Sequence, residues 1–204
     1  YSPSRLFTDG SVYAQEIIVP RRDGTIYGDP LLETQKVTAI EVDGANRKWL
    51  GTEGGGVVLV SADGLEQIYN FTVTNSPLLS NNITDICIDH LTGEVFFGTD
   101  KGIISFMGEA TGGAENYNNI VVFPNPVRET YQGNVIIKGL VEKTHVKITD
   151  ISGNLVYETE SFGGQALWDG RNFRGDRVAT GVYMIYLSSS DETMAEVTKV
   201  LFIR

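Results

Sequence analysis

VTAIEVDGANRKWLGTEGGGVVLV at residues 37–60 returns as ITDICIDHLTGEVFFGTDKGIISF at residues 83–106. Aligned on Gly51 and Gly98, the stretches repeat with a period of 47 residues. That is the upper end of the range for β-propeller blades, in which four strands form a unit that buries its faces only against its neighbours. Neither copy recurs after residue 118. Two blades cannot close a ring, so the sequence reads as the last blades of a longer propeller joined to a different C-terminal domain.

Within each copy, turn chemistry separates β-rich runs. Val37 to Val42 leads into Asp43-Gly44-Ala45-Asn46 and resumes at Lys48-Trp49-Leu50, the pattern of a hairpin. Ile83 to Ile88, the turn from Asp89 to Gly93, and Val95-Phe96-Phe97 repeat the plan with one more residue in the turn. Gly54, Gly55, Gly56 and Gly102 open the next strands, Val57 to Val60 and Ile103 to Phe106, where reversal with positive φ favours glycine. Leu65 to Phe71 supplies an outer strand, and Asn75 to Asn82 a crossing loop. Leu6-Phe7-Thr8-Asp9-Gly10 and Asp23 to Gly28 read as a degenerate earlier blade.

The chain has 204 residues, is 41% apolar, and holds 23 glycines and no long amphipathic pattern, a two-domain, all-β composition. Its net charge of −10 is uneven: residues 1–117 carry 7 Lys/Arg against 16 Asp/Glu, and residues 118–204 carry 9 against 10. An acidic first half disfavours nucleic acid and anionic membrane as partners. Cys87 is the only cysteine, which excludes a disulfide within the chain and a cysteine-based zinc site; between Ile86 and Ile88 it reads as a small core residue. No signal-peptide pattern and no apolar run of 18 residues is present.

After Gly108, Ala110-Thr111-Gly112-Gly113-Ala114 and Asn116 to Asn119 show neither strand nor helix periodicity. The domains expected are therefore terminal blades at 1–108, a protease-sensitive linker at 109–119, and a compact β unit at 120–204. In the last, strands are expected at 120–123, 133–139, 144–151, 154–160, 165–168, 180–188 and 194–203, an immunoglobulin-like sandwich. Val182, Met184 and Tyr186 alternate with Tyr183, Ile185 and Leu187; apolar on both faces, this strand is expected to be central and covered on both sides.

The repeats resemble short propeller repeats of periplasmic sensor domains and of Bacteroidetes-type surface proteins. That likeness rests on Ser76-Pro77-Leu78, Asn82-Ile83-Thr84, Asp43 or Asp89, and the Trp49-Leu50-Gly51-Thr52 or Phe96-Phe97-Gly98-Thr99 exit. Residues 121–204 resemble the C-terminal sorting domain of the type IX secretion system. Five ordered segments carry this likeness: Phe123-Pro124-Asn125-Pro126-Val127; Val146 to Val156 with Gly153; Leu167-Trp168-Asp169-Gly170-Arg171-Asn172 with Gly175; Ala179-Thr180-Gly181-Val182-Tyr183; and Lys199-Val200-Leu201-Phe202-Ile203-Arg204. A similar sandwich occurs in flagellar hook-capping proteins.

The resemblance implies mainly structural roles for Pro124, Asn125, Pro126, Gly153, Trp168, Asp169, Gly170, Gly181 and Tyr183. Pro124 and Pro126 fix the entry to the first strand, and Trp168 is expected to pack an indole into the core while Asp169 bonds a turn backbone. Lys199 to Arg204 would be the export signal, read by edge pairing.

Catalysis finds little support. His90 lies in a turn, His145 begins a strand, and no nucleophile is placed beside either. Thr52-Glu53-Gly54-Gly55-Gly56 lacks the Gly-Lys-Ser/Thr of a phosphate loop, and Asp89, Glu94 and Asp100 lack calcium-loop spacing. Asn70-Phe71-Thr72 and Asn82-Ile83-Thr84 match the glycosylation triplet, which arises often by chance. No cofactor is implied.

The expectation is a non-catalytic surface binding and assembly protein of type IX secretion, exported to the outer membrane or cell surface with the periplasm as transit or alternative. Its implied partners are outer-membrane secretion and attachment proteins and a surface polysaccharide or lipopolysaccharide. Open blade edges would also let the chain self-associate. The alternatives are the carbohydrate-sensing propeller of a hybrid two-component regulator, or a secreted cargo whose sorting domain is cleaved on export.

Overall fold

The computed structural model describes residues 16–21 and 26–203. Among these no helix occurs, and seventeen strands form five sheets. Contacts divide the chain into two units. One comprises residues up to 40, 47–86 and 97–103; the other comprises 41–46, 87–96 and 104–204. The architecture is all-β, with partial propeller blades followed by an immunoglobulin-like sandwich.

Leu6 to Gly10 and Asp23 to Thr25, read as parts of an earlier blade, lie outside the described residues. The neighbouring strands β1 (Ile18–Pro20) and β2 (Gly28–Pro30) pair antiparallel with Ile18 opposite Pro30. The first complete blade holds β3 (Val37–Val42), β4 (Lys48–Thr52), β5 (Val57–Val60) and β6 (Gln67–Phe71) in sequential order. The second copy forms β7 (Ile83–Asp89), β8 (Glu94–Thr99) and β9 (Gly102–Met107).

Val57 to Val60 are buried on both faces, because the two sides of this blade meet different neighbours. Leu50, Val58 and Val60 pack with Leu31 and Leu32. Trp49 lies 5.5 Å from the Phe97 ring and 6.2 Å from that of Phe71. The residues that make the repeat visible in sequence are thus those that fasten one copy to the next.

Cys87 corrects the sequence reading. Strict alternation puts it on the face opposite Ile86 and Ile88, and it is exposed while they are buried. Flanking apolar residues in a strand mark the other face, not the residue between them.

The sandwich is built from β10 (Val121–Phe123), β11 (Val127–Arg128), β12 (Val135–Lys138), β13 (His145–Asp150), β14 (Leu155–Glu160), β15 (Gln165–Trp168), β16 (Gly181–Ser188) and β17 (Ala195–Ile203). One sheet has the order β10-β12-β15, and the other β11-β17-β16-β13-β14. All named pairs are antiparallel except β11 with β17, which is parallel. Val146, Ile148, Ile185, Leu187, Val200 and Phe202 from the larger sheet meet Val135, Ile137, Ala166 and Trp168 from the smaller. Full burial of each such aliphatic or aromatic side chain is worth about 1.5–3 kcal/mol.

β16 is central, as its composition predicts, but only its inner face is covered. Tyr183, Ile185 and Leu187 are buried, whereas Val182 and Met184 are half-buried and Tyr186 is 44% exposed.

Turn aspartates contribute to the acid sensitivity of the fold. The Thr92 hydroxyl and the Leu91 N–H hold the Asp89 carboxyl below its usual range. The Asn154 side chain and backbone N–H do the same for Asp150, and the Ser189 hydroxyl with the Thr193 N–H for Asp191. Because these groups bind protons less readily folded than unfolded, their contribution is full above the unfolded carboxylate value, about 4, and is lost as pH falls through the lower folded values. Thermal unfolding between neutrality and pH 5 should therefore show little loss from these groups, with a decline below about pH 4. A decline beginning near pH 6 would contradict this assignment.

Candidate functional site

Of the segments singled out by the sequence, those around Asn125, Trp168 and Tyr183 converge on β17, while Val146 to Val156 lies beyond β16 in the same sheet. Phe123-Pro124 and Asn125-Pro126 are both cis peptides, and between the prolines the Asn125 side chain faces the last strand. Its Nδ2 donates to the Lys199 carbonyl, and its Oδ1 accepts from the Leu201 N–H, both at 3.1 Å. The side-chain amide therefore acts as one residue of a neighbouring strand. Immediately afterwards β11 takes up true pairing, with Val127 opposite Phe202 and Arg128 opposite Ile203. Farther back along β17, the Val197 N–H donates to the Glu196 carboxylate at 2.9 Å.

The other long side of β17 is paired with β16 over its whole register, from Gly181 opposite Phe202 to Ser188 opposite Ala195. The last strand is therefore held from both sides at residues 199–203, which leaves no free edge there for the expected edge pairing. Val200 and Phe202 point into the core. Lys199, Leu201 and Ile203 point outward, and Arg204 lies outside the described residues.

Phe202 anchors the strand. Its ring stands edge-on to Trp168 at 5.1 Å and to Tyr183 at 5.5 Å, and the Arg177 guanidinium lies 5.9 Å from its centroid. Arg177 also donates to the Tyr131 carbonyl at 2.6 Å. Trp168 is buried and donates Nε1–H to the Arg171 carbonyl at 2.8 Å, while Asp169 Oδ1 accepts the Arg171 N–H at 2.9 Å. Gly170, with φ of 74°, closes this turn against the aromatic cluster; a Cβ there would meet the Phe202 ring at 2.9 Å. Tyr183 donates its hydroxyl to the Ala179 carbonyl at 3.1 Å, which ties the strand entry to the ring cluster, and Gly181 begins β16. Gly153, with φ of 84°, belongs to the turn organised by Asp150, whose Oδ1 accepts the Ser152 and Asn154 N–H groups.

A second constellation lies where β9 leads into β10. Ala110, Thr111 and Tyr117 are buried. The Gly164 N–H donates to the Thr111 carbonyl at 3.0 Å, the Ala114 N–H to Leu140 at 2.8 Å, and the Gln165 side-chain amide to Glu109 at 2.6 Å. The Gly112 N–H donates to the His90 carbonyl at 2.7 Å, and the Gly108 N–H to Gly93 at 2.9 Å. Thr111 and Gly163 form an isolated parallel bridge. Gly163 has φ of 61°, and a Cβ there would overlap the Thr111 carbonyl oxygen and stand 2.6 Å from that of Gly44. Behind this ladder, Tyr117 shares a hydrogen bond with the Thr144 hydroxyl at 2.9 Å, and Ser161 accepts the Thr144 N–H at 2.9 Å. Burial pushes the Tyr117 phenol up from its ordinary value. Composition carried no sign of this bonding, because small polar residues and glycines serve loose connections and close backbone contacts alike.

Among the described residues no cluster of three or more His, Cys, Asp or Glu could hold a metal ion. Lys199, Leu201 and Ile203 expose the outer face of β17, in the same unit as the closely bonded lead-in segment.

Residues 121–203 match the secretion system C-terminal sorting domain family. Among solved structures, PorZ of Porphyromonas gingivalis, described as an essential bacterial surface component of the type-IX secretion system, is 33% identical over 100% of this chain and 27% of its own, with a TM-score of 0.64. The chain thus spans about a quarter of the length of PorZ. The extracellular domain of a hybrid two-component system of B. thetaiotaomicron is 11% identical over 90% of this chain and 27% of its own, with a TM-score of 0.31. Dimeric latent PorU of Porphyromonas gingivalis is 20% identical over 54% of this chain and 12% of its own, with a TM-score of 0.33. A search of curated proteins returned no match.

Proposed function

We propose, from the premise that this PorZ-like chain carries a type IX sorting domain at residues 121–203, that it is a non-catalytic assembly component of the secretion system whose sandwich stays attached after export. A sorting domain marks an exported, cell-surface or periplasmic protein. Its partners, on this reading, are proteins of the outer-membrane export and attachment complex.

The observation that carries the choice of component over cleaved cargo is the bonding of residues 109–114. A protease must draw several consecutive residues into an extended pose, and a segment free to do so has few buried groups and few internal hydrogen bonds. Here Ala110 and Thr111 are buried, and the backbone from 109 to 114 is bonded to residues 90, 140 and 162–165.

Limited proteolysis of the folded chain, followed by mass spectrometry, tests this. The first cuts are expected at exposed turns such as 172–176 or 190–193, with 109–114 cleaved only after them. Prompt cleavage anywhere within 109–119, releasing an intact sandwich, would overturn retention and favour the cargo reading.

A further inference from the structure

The sandwich presents its last strand through a face, and that face has a composition of its own. On β16, Val182, Met184 and Tyr186 point outward; on β17, so do Val197, Leu201 and Ile203. Val182 and Met184 are half-buried, and the other four are 36–45% exposed. Register makes them contiguous, because Val182 stands opposite Leu201 and Tyr186 opposite Val197. Lys199 lies within this stripe opposite Met184, and Arg128 borders it opposite Ile203. No outward side chain of β11, β16 or β17 is a carboxylate; the exposed Glu196, on the other face of β17, turns its carboxylate onto the Val197 N–H at the far end of the stripe from Lys199 and Arg128. Glu158 and Glu160 lie beyond the intervening strand, opposite Lys147 and His145.

We infer that the sorting strand is recognised through this outer sheet face, by an export-machinery protein offering an apolar surface rimmed with carboxylates. The inference rests on the export reading above. Two observations select the face. Edge addition at residues 199–203 would have to displace Asn125 and β11, which already occupy the backbone groups turned away from β16. The outward side chains, by contrast, are available without any rearrangement. The charge pattern selects the partner: an apolar stripe interrupted by Lys199 and edged by Arg128 is complemented by apolar groups flanked by Asp or Glu.

The experiment uses the full-length protein in a bacterium with type IX machinery. One variant combines Leu201→Thr and Ile203→Thr, which keeps strand propensity on exposed positions; a second is Lys199→Glu; a third, Asn125→Ala, removes the edge hydrogen bonds to Lys199 and Leu201 without changing any side chain of the face. Surface-exposed and periplasmic protein are measured, together with the unfolding temperature of each purified chain. The face variants are expected to unfold close to the parent temperature yet reach the surface roughly tenfold less, while Asn125→Ala arrives near the parent level.

Normal arrival of both face variants would overturn face recognition, whatever the level of Asn125→Ala. So would variant-sensitive binding to vesicles of anionic phospholipid in place of protein capture, since the occupant would then be a membrane. If the double variant unfolds, Leu201→Thr alone carries the same comparison. Normal arrival of a chain ending at residue 120 would overturn the export reading itself.

Discussion

A chain shortened by residues 199–204 is expected to lose the cooperative fold of the sandwich. The removed stretch contributes Val200 and Phe202 to the core, the partner rows of Gly181 to Met184, the entire partner of β11 and both hydrogen bonds of Asn125. Phe202→Ala alone should cost about 3–5 kcal/mol, the range for a large aromatic truncated in a packed core. Removing a central ladder as well exceeds what a domain stable by about 5–15 kcal/mol can lose. The outward substitution Lys199→Gln should stay within about 0.5 kcal/mol of the parent. Denaturant unfolding followed by tryptophan fluorescence measures all three. A truncated chain that kept a cooperative transition of parental amplitude would contradict this architecture. Failed export of that truncation therefore reports unfolding before it reports loss of a signal, and point changes on the outer face are the more informative test.

Gly163→Ala should be about as severe as the loss of a core side chain, although it adds only one carbon. The left-handed backbone would cost a non-glycine residue about 1–2 kcal/mol. The new Cβ would in addition drive into the Thr111 and Gly44 carbonyl oxygens, an overpacking of roughly 1–3 kcal/mol or more. Gly153→Ala provides the control. It has a similar left-handed conformation, with φ of 84°, and nothing within 4 Å of the added carbon, so it should pay the backbone cost alone. Comparable denaturant midpoints for the two variants would show that the close approach at Gly163 contributes nothing. A selective loss at Gly163, with faster amide exchange at Gly164 and Ala114, is the expected pattern.

Strand positions in the sandwich were largely legible from sequence. The expected 165–168 is the observed β15, and 180–188 and 194–203 each exceed β16 and β17 by a single residue. Period-two patterning bounded by Gly, Asn and Asp turns is a local signal, so it survives reading one residue at a time. β11 escaped because two residues after a proline have no periodicity, and their pairing depends on a strand more than seventy residues away. The same distance hid the role of Asn125: its amide is an ordinary turn group until Lys199 and Leu201 arrive beside it. At Cys87 the pattern was visible and was assigned to the wrong face. The outer face of β16 misled for a different reason, since apolar composition reports what a surface prefers to touch, and Val182, Met184 and Tyr186 meet no covering layer within the described sandwich.

Parallel pairing of β11 with β17 also bears on timing. A ribosome releases β11 and Trp168 before 195–203, and until β17 follows that stretch lacks its middle partner: β16 has nothing on one side, β11 pairs with nothing, and the indole of Trp168 waits for Phe202. Contacts of such long sequence separation form slowly and late. An emerging chain would therefore carry this domain open until β17 is made, and could be threaded through a narrow passage up to that moment without first being unfolded.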